Sequence, residues 1–273
     1  MPLRKDKFVP KLFLSAIWTT TGRSTIRAAR ALQIASLQVT ALVITVLVTT
    51  APAHAAGPVA FSIATGVEPP APWRTVGLPD RYAIPVAQFD MAQLDGKKVV
   101  RVRADSAYGN LVHDWQGPLT SLKWRWRLDN PLRNANLKSK NTEDIALKVC
   151  LTFDMPVDQV PSAERSKFKL AQFFSRDKLP TATLCYVWTQ AEAAGAELTS
   201  PYTGRVHYVV LNSGEGQLKT WQEHTRNVNA DFLKAFGTES PVVPAVTAII
   251  VGADSDNTKG SSLGYVADIV VQP

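Results

Sequence analysis

A dense run of oxygen-bearing side chains, Asp254-Ser255-Asp256-Asn257-Thr258, stands near the end of the sequence. Asp254, Asp256 and Asn257, with Thr258, offer the hard oxygen ligands that calcium prefers, although calcium takes six to eight of them. The spacing is not that of an EF-hand loop. Counted from Asp254, the sixth position is Lys259 where that loop needs glycine, and the twelfth is Tyr265 where it needs glutamate. A tight turn asks for the same residues, because Asp and Asn side chains accept backbone N–H groups and tolerate left-handed geometry. The turn is the favoured reading, with calcium as the one cofactor these residues admit.

A second constellation is cationic. Lys123, Arg125 and Arg127 alternate with Leu122, Trp124, Trp126 and Leu128. Guanidinium groups suit planar, bidentate recognition of carboxylate or phosphate, so Arg125 and Arg127 are candidates for gripping an anionic ligand such as an acidic glycan. Asp144, Arg226 and Asp268 complete the candidate ligand-binding set. Internal pairing of the stripe with Asp144 or Asp268 on neighbouring strands is the simpler expectation. Arg226, Asn227 and Asp231 flank a helix start, where free amides can bind anions; an Asp in a first turn more often complements the helix dipole. Of the tryptophans, Trp124 and Trp126 read as core, while Trp73, Trp115 and Trp221 sit near turns and are candidates for exposure and sugar stacking.

Catalytic patterns are thin, and no catalytic residue is assigned. Gly260-Ser-Ser-Leu-Gly264 matches G-x-S-x-G, but a strand follows it and no histidine comes after Ser262. Glu143 and Asp144 are adjacent, so in an extended chain they point to opposite faces. His113, His207 and His224 are scattered and form no zinc pattern. No glycine-rich phosphate loop is present.

The elements that must hold these groups are strands. Prolines and glycines punctuate short alternating apolar runs throughout. The period of two in Leu122–Leu128 predicts a half-buried strand with an aromatic inner face and a cationic outer face. Ile145–Asp154 alternates as cleanly, and in Ala182–Trp188 the large apolar side is Leu184, Tyr186 and Trp188. Further strands are expected at Lys97–Ala104, Arg205–Leu211, Ala245–Ala253 and Tyr265–Val271. In the last of these, Asp268 falls on the polar side, opposite Tyr265, Ala267 and Ile269. One short helix is expected over Ala230–Phe236, with Asn229 as its cap and Gly237 in a left-handed C-terminal position. Many strands with one short helix predict an all-β fold, a sandwich or jelly roll, in a single domain over 81–273 after an irregular lead-in at 56–80.

Charge and composition fix the setting. The chain has 273 residues and a formal charge of +7, from 30 basic and 23 acidic residues. Seven of those basic residues and only Asp6 of the acidic ones lie in 1–55, leaving 23 and 22 in the remainder. The basic balance therefore belongs to the leader, and a nucleic-acid partner loses its support. That leader has a basic segment to about Arg30, an apolar core at Ala41–Val48, and Ala53-His54-Ala55 as a small-x-small cleavage site. We expect a signal peptide over 1–55, a mature chain beginning at Ala56 without a transmembrane segment, and a periplasmic location. Cys150 and Cys185 are the only two cysteines. Each lies opposite the main apolar face of its strand, and in an oxidising compartment they could form a disulfide. The strand order needed for that bond is open at this point.

Several of these motifs, in order, resemble the DUF3047 family of exported bacterial proteins. They are Leu122-Lys-Trp-Arg-Trp-Arg127, Glu143-Asp144, Tyr186-Val-Trp188, Trp221, Arg226-Asn-Val228 with Asp231, Phe236-Gly237 and Asp254-Ser-Asp-Asn-Thr258. The likeness runs from about Gly66 to the C-terminus. It implies a β-sandwich of the galactose-binding or jelly-roll kind and no particular activity; the two cysteines are not part of the pattern. The functional expectation is a non-catalytic binding or structural module of the cell envelope, with carbohydrate as its partner. The alternative is an envelope-glycan hydrolase whose carboxylates, such as Asp144, Asp254 and Asp268, converge only in the fold. That would need two carboxyl groups about 5–10 Å apart in an open cleft.

Overall fold

The computed structural model describes residues 57–117, 119–174 and 179–272. The expected leader and its cleavage point lie outside the described residues. In chain order the strands begin with β1 Arg74–Val76, β2 Gln88–Leu94, β3 Lys97–Asp105, β4 Tyr108–Gly117, β5 Ser121–Asn130 and β6 Ile145–Phe153. Helix α1, Ser162–Phe174, comes next, and then β7 Ala182–Thr189, β8 Glu197–Thr199, β9 Val206–Ser213 and β10 Gln222–Asn227. Helix α2, Val228–Phe236, precedes β11 Val246–Asp254, β12 Ser261–Val266 and β13 Val270–Gln272.

These strands form two sheets, one of seven strands in the order β1-β4-β11-β6-β7-β9-β8 and one of six. In the six-stranded sheet β10-β5-β12-β3-β2 are joined in that order, and β13 also pairs with β5. All pairs are antiparallel except β7 with β9. The sheets meet face to face as a β-sandwich, the fold class that the alternating pattern predicts. Leu122, Trp124, Trp126 and Leu128 of β5 turn inward with exposures of 1% or less. Across the interface Trp124 packs 5.1 Å from Tyr186, and Trp126 packs 6.1 Å from Trp188. Leu147, Val149, Leu151 and Phe153 of β6 join the same core. Such aromatic pairs add to the area they bury, so β5 against β7 is the centre of the molecule.

Helix α2 closes one end of the sandwich by inserting Val228, Phe232 and Phe236 into this core. It starts two residues earlier than expected, and its cap is Asn227, whose side chain accepts from the Ala230 N–H. Asn229 instead reaches Thr120. Gly237 is right-handed (φ −63°). A Cβ there would lie 2.2 Å from the Leu233 carbonyl oxygen, so close approach, and not handedness, demands glycine.

A second layer covers the outer face of the seven-stranded sheet. Val112, Cys150, Cys185, Val187, Val206, Tyr208, Val210, Ala248 and Ile250 form an apolar cluster there with Leu137, Phe168 and Leu179. Helix α1 is the second α-helix among the described residues, where one was expected; it contributes Phe168 and Ala171 to that cover. Cys150 and Cys185 sit directly opposite on β6 and β7 and are joined by a disulfide. The lead-in is irregular apart from β1, yet it packs: Phe61 and Trp73 are buried, as is Trp115. Trp73 and Trp115 are therefore core residues and not exposed aromatics. The expected strand Tyr265–Val271 breaks into β12 and β13, and the break shifts the phase. Tyr265 faces outward, opposite Arg127 and Arg101, while Val266 faces the core.

Candidate ligand-binding face

Among the described residues, the outer face of the six-stranded sheet carries no second layer of the kind that covers the other sheet. Alternation along β5 turns Lys123, Arg125 and Arg127 outward, as the sequence indicates. Their partners are not the expected ones. Lys123 pairs with Glu223 on β10 at 2.7 Å, and this contact, reinforced by Arg125, holds the Glu223 carboxyl below its usual range. Arg127 bonds Asp129 at 2.6 Å, which raises the guanidinium above its usual pKa, and lies 3.6 Å from Asp95. Asp144 belongs to the other sheet, and Asp268 accepts from the Ser62 N–H at 2.9 Å and from its Oγ at 2.5 Å. Neither carboxylate neutralises the stripe. Arg127, Tyr265, Arg101 and Asp90 instead form a row across β5, β12, β3 and β2, with Arg101 bonded to Asp90.

Arg125 differs from its neighbours. Its guanidinium lies 5.3 Å over the ring of Trp221, and among the described residues it makes no hydrogen bond or ion pair, although Glu223, bonded to Lys123, stands opposite it in register and feels its charge. The indole is itself fixed. Its Nε1–H donates to Asp95 at 2.7 Å, and Asp95 is held by the two-residue turn between β2 and β3, where Asp95 (φ 50°) and Gly96 (φ 74°) are both left-handed. That is the backbone a tight Asp-Gly hairpin requires. The turn thus places a carboxylate that orients an indole, and the indole supports an arginine. Arg125 opens on a depression of about 430 Å³, which Ser62, Lys97, Lys98 and Asp268 also line. Lys98 donates to the Ala64 carbonyl.

The acidic residues assemble elsewhere. Asp144, Asp254 and Asp256 place carboxylate oxygens within 4.8 Å of one another, with exposures of 0%, 4% and 5%. Asp144 accepts from Asn257 N–H at 3.1 Å, Thr258 N–H at 2.7 Å and Thr258 Oγ at 2.6 Å, while the Asn257 amide donates to the Glu143 carbonyl at 2.8 Å. The 254–258 run is therefore a turn clamped onto the start of β6. Beside it, Tyr208 and Ser200 donate to Glu143, Asn110 donates to the Tyr108 hydroxyl, and Lys148 lies over the Tyr108 ring. Burial raises both phenols above their usual pKa, helped by Glu143 at Tyr208 and by Asp254 at Tyr108, so both stay protonated. Three carboxylates are part of a calcium ligand set, and Asp144 is the member that sequence reasoning assigned to another face. Both Asp144 oxygens already accept hydrogen bonds, and Asn257 is turned to the backbone.

The structure thus brings together Arg125, Arg127 and Asp268 on or beside one face, and Asp144, Asp254, Asp256 and Asn257 at the other. Asp144 and Asp254 of the hydrolase set converge, but in a buried place and without Asp268. Arg226 belongs to neither group. It makes a two-pronged pair with Asp231 at 2.6 and 2.9 Å, and Tyr186 donates to the same carboxylate. Asp95, Lys97 and Lys98 escaped sequence reasoning; the Asp-Gly pair was the signal that could have marked the turn.

The profile of the DUF3047 family, described as a protein of unknown function, matches residues 71–270. The chain belongs to that family. No curated protein matches it. Among solved structures, this DUF3047 domain is similar to TmCBM61 in complex with β-1,4-galactotriose, at 10% identity over 74% of this chain and 88% of that one (TM-score 0.31). It is similar also to the K2 adhesin domain of Lys-gingipain, at 14% identity over 79% and 98% (TM-score 0.34). A family 12 xyloglucanase from Bacillus licheniformis shows 10% identity over 73% and 99% (TM-score 0.36). These likenesses are distant, and the fold rests on the sheets described above.

Proposed function

We propose that this DUF3047 domain is an exported, non-catalytic carbohydrate-binding module of the cell envelope, which uses the outer face of its six-stranded sheet. The observation that carries the reading is the depression at Arg125, where hydroxyl, ammonium, guanidinium and carboxylate groups converge and the guanidinium itself lies over the Trp221 ring. A concave site with a few convergent polar groups is the ordinary form of a small-ligand site, and polar groups of both kinds suit a polyhydroxylated ligand. Burial of Asp144, Asp254 and Asp256 counts against hydrolysis, since glycosidic cleavage needs its carboxylates on either side of an accessible bond. The Cys150–Cys185 disulfide supports an oxidising compartment. No helix among the described residues is long and apolar enough to cross a membrane.

Isothermal titration of the purified protein against neutral and acidic oligosaccharides tests the reading. Saturable binding that Trp221→Ala weakens about tenfold is the expected result, in keeping with the loss of the cation–π support under Arg125. Silence across the panel would contradict the carbohydrate assignment.

A further inference from the structure

We infer that the depression at Arg125 is a subsite for a carboxylate carried on the sugar, so that the natural ligand is an acidic, uronate-bearing polysaccharide. This rests on the carbohydrate-binding reading and narrows it.

The argument begins with a difference among the outward cations. Lys123, Arg127 and Arg101 are each committed to a carboxylate of their own sheet: Glu223, Asp129 and Asp90. Arg125 is not. A cation–π contact with the indole leaves the guanidinium N–H groups available, and their fork is the one that pairs with the two oxygens of a carboxylate.

The local charge points the same way. Three cations, Arg125, Lys97 and Lys98, line the depression against the single carboxylate of Asp268. Asp268 is turned to Ser62, and both of its oxygens accept there. The excess is local, because the chain beyond the leader has 23 basic and 22 acidic residues. A neutral sugar would leave this concentrated positive charge unanswered; a uronate answers it. The β2–β3 turn sets the spacing, since Asp95 fixes Trp221 while Lys97, two residues on, reaches the rim.

Galacturonate oligomers and galactose oligomers of equal length separate the two levels of the claim, since their rings differ at one carbon, which bears carboxylate or hydroxymethyl. Titrated at low salt, galacturonate is expected to bind at least tenfold more tightly than galactose. Arg125→Gln should weaken galacturonate binding by about 10- to 100-fold, the worth of a charge-assisted hydrogen-bonded pair. Raising the salt should weaken it further, because the site is open to solvent. Lys97→Gln, on an exposed side chain, gives the same test with a smaller loss if Arg125→Gln does not fold. Lys234→Gln removes an exposed charge paired with Glu197 outside the depression and should leave affinity unchanged. Equal binding of the two oligomers, or galacturonate binding indifferent to Arg125→Gln and Lys97→Gln, overturns the carboxylate subsite and leaves a neutral-sugar module standing. Binding of neither oligomer, nor of any other sugar, overturns both.

Discussion

The two outer faces of this sandwich are built from the same alternation and end up opposite in character. On the seven-stranded sheet the outward positions are Val112, Cys150, Val187, Val210 and Ile250, and they are roofed by Leu137, Phe168 and Leu179. The acidic residues at its end are buried and used as clamps. On the six-stranded sheet the outward positions are Lys123, Arg125, Arg127, Tyr265 and Arg101, and no comparable apolar cluster among the described residues covers them. Polar residues that look equally chemical in sequence therefore have different work. Where a second layer covers the sheet, carboxylates are consumed in holding turns; where the sheet is bare, charges remain for a ligand. The candidate site follows from which face is covered, not from which residues are most reactive.

Substitutions on the two faces should differ in proportion. The largest loss is expected under the roof, from Cys150→Ala with Cys185→Ala. The bond closes a loop of 35 residues and is worth about 3–4 kcal/mol on chain-entropy grounds; guanidinium unfolding measures it, and a loss below about 1 kcal/mol would contradict that ranking. Asp144→Ala should follow at about 1–3 kcal/mol, because three part-buried donors on Asn257 and Thr258 lose their acceptor. If EDTA and calcium shift the melting temperature of the unmodified protein by several degrees, the clamp is also an ion site; an unchanged temperature is what the clamp alone predicts.

Between the faces, His224 packs on Trp124 and Trp126 and bonds Asn212. Burial, and then Arg226, depress its pKa to about 4. The folded state thus resists a proton that the unfolded chain accepts near 6.5. Its contribution is complete above pH 6.5 and falls as pH drops from 6.5 to 4, by an amount on the order of 2 kcal/mol. His224→Gln should flatten the stability profile across that window, and an unaltered profile would contradict it. The smallest effect belongs to the open face, where Arg125→Gln should change stability by less than about 0.5 kcal/mol while changing affinity strongly.

Much of this was legible in the residues. The period-two runs of β5, β6 and β7 indicated the core directly, and Lys123, Arg125 and Arg127 face outward as their alternation requires. Helix α1 was not singled out, because it is polar overall, buries only a narrow stripe through Phe168 and Ala171, and leaves Leu170 and Phe173 exposed. β4 was hidden for a related reason: Asn110 and His113 are buried in it and interrupt the alternation. The break at 267–269 separates the phases of β12 and β13, so Ile269 is buried while Tyr265 faces outward and the two do not share a face as unbroken alternation would require. Asp144 was assigned to the cationic stripe because sheet membership depends on long-range pairing that local pattern does not carry. Trp221 and Asp95 are 126 positions apart, so their contact left no trace in spacing.

The most direct measurement is amide hydrogen exchange with and without a saturating bound oligosaccharide. Ligand-induced protection should be confined to the 93–98 turn, the outward positions of β5 and residues 220–223. Protection centred instead on 143–148 and 254–258 would place the ligand at the acidic cluster and contradict the account.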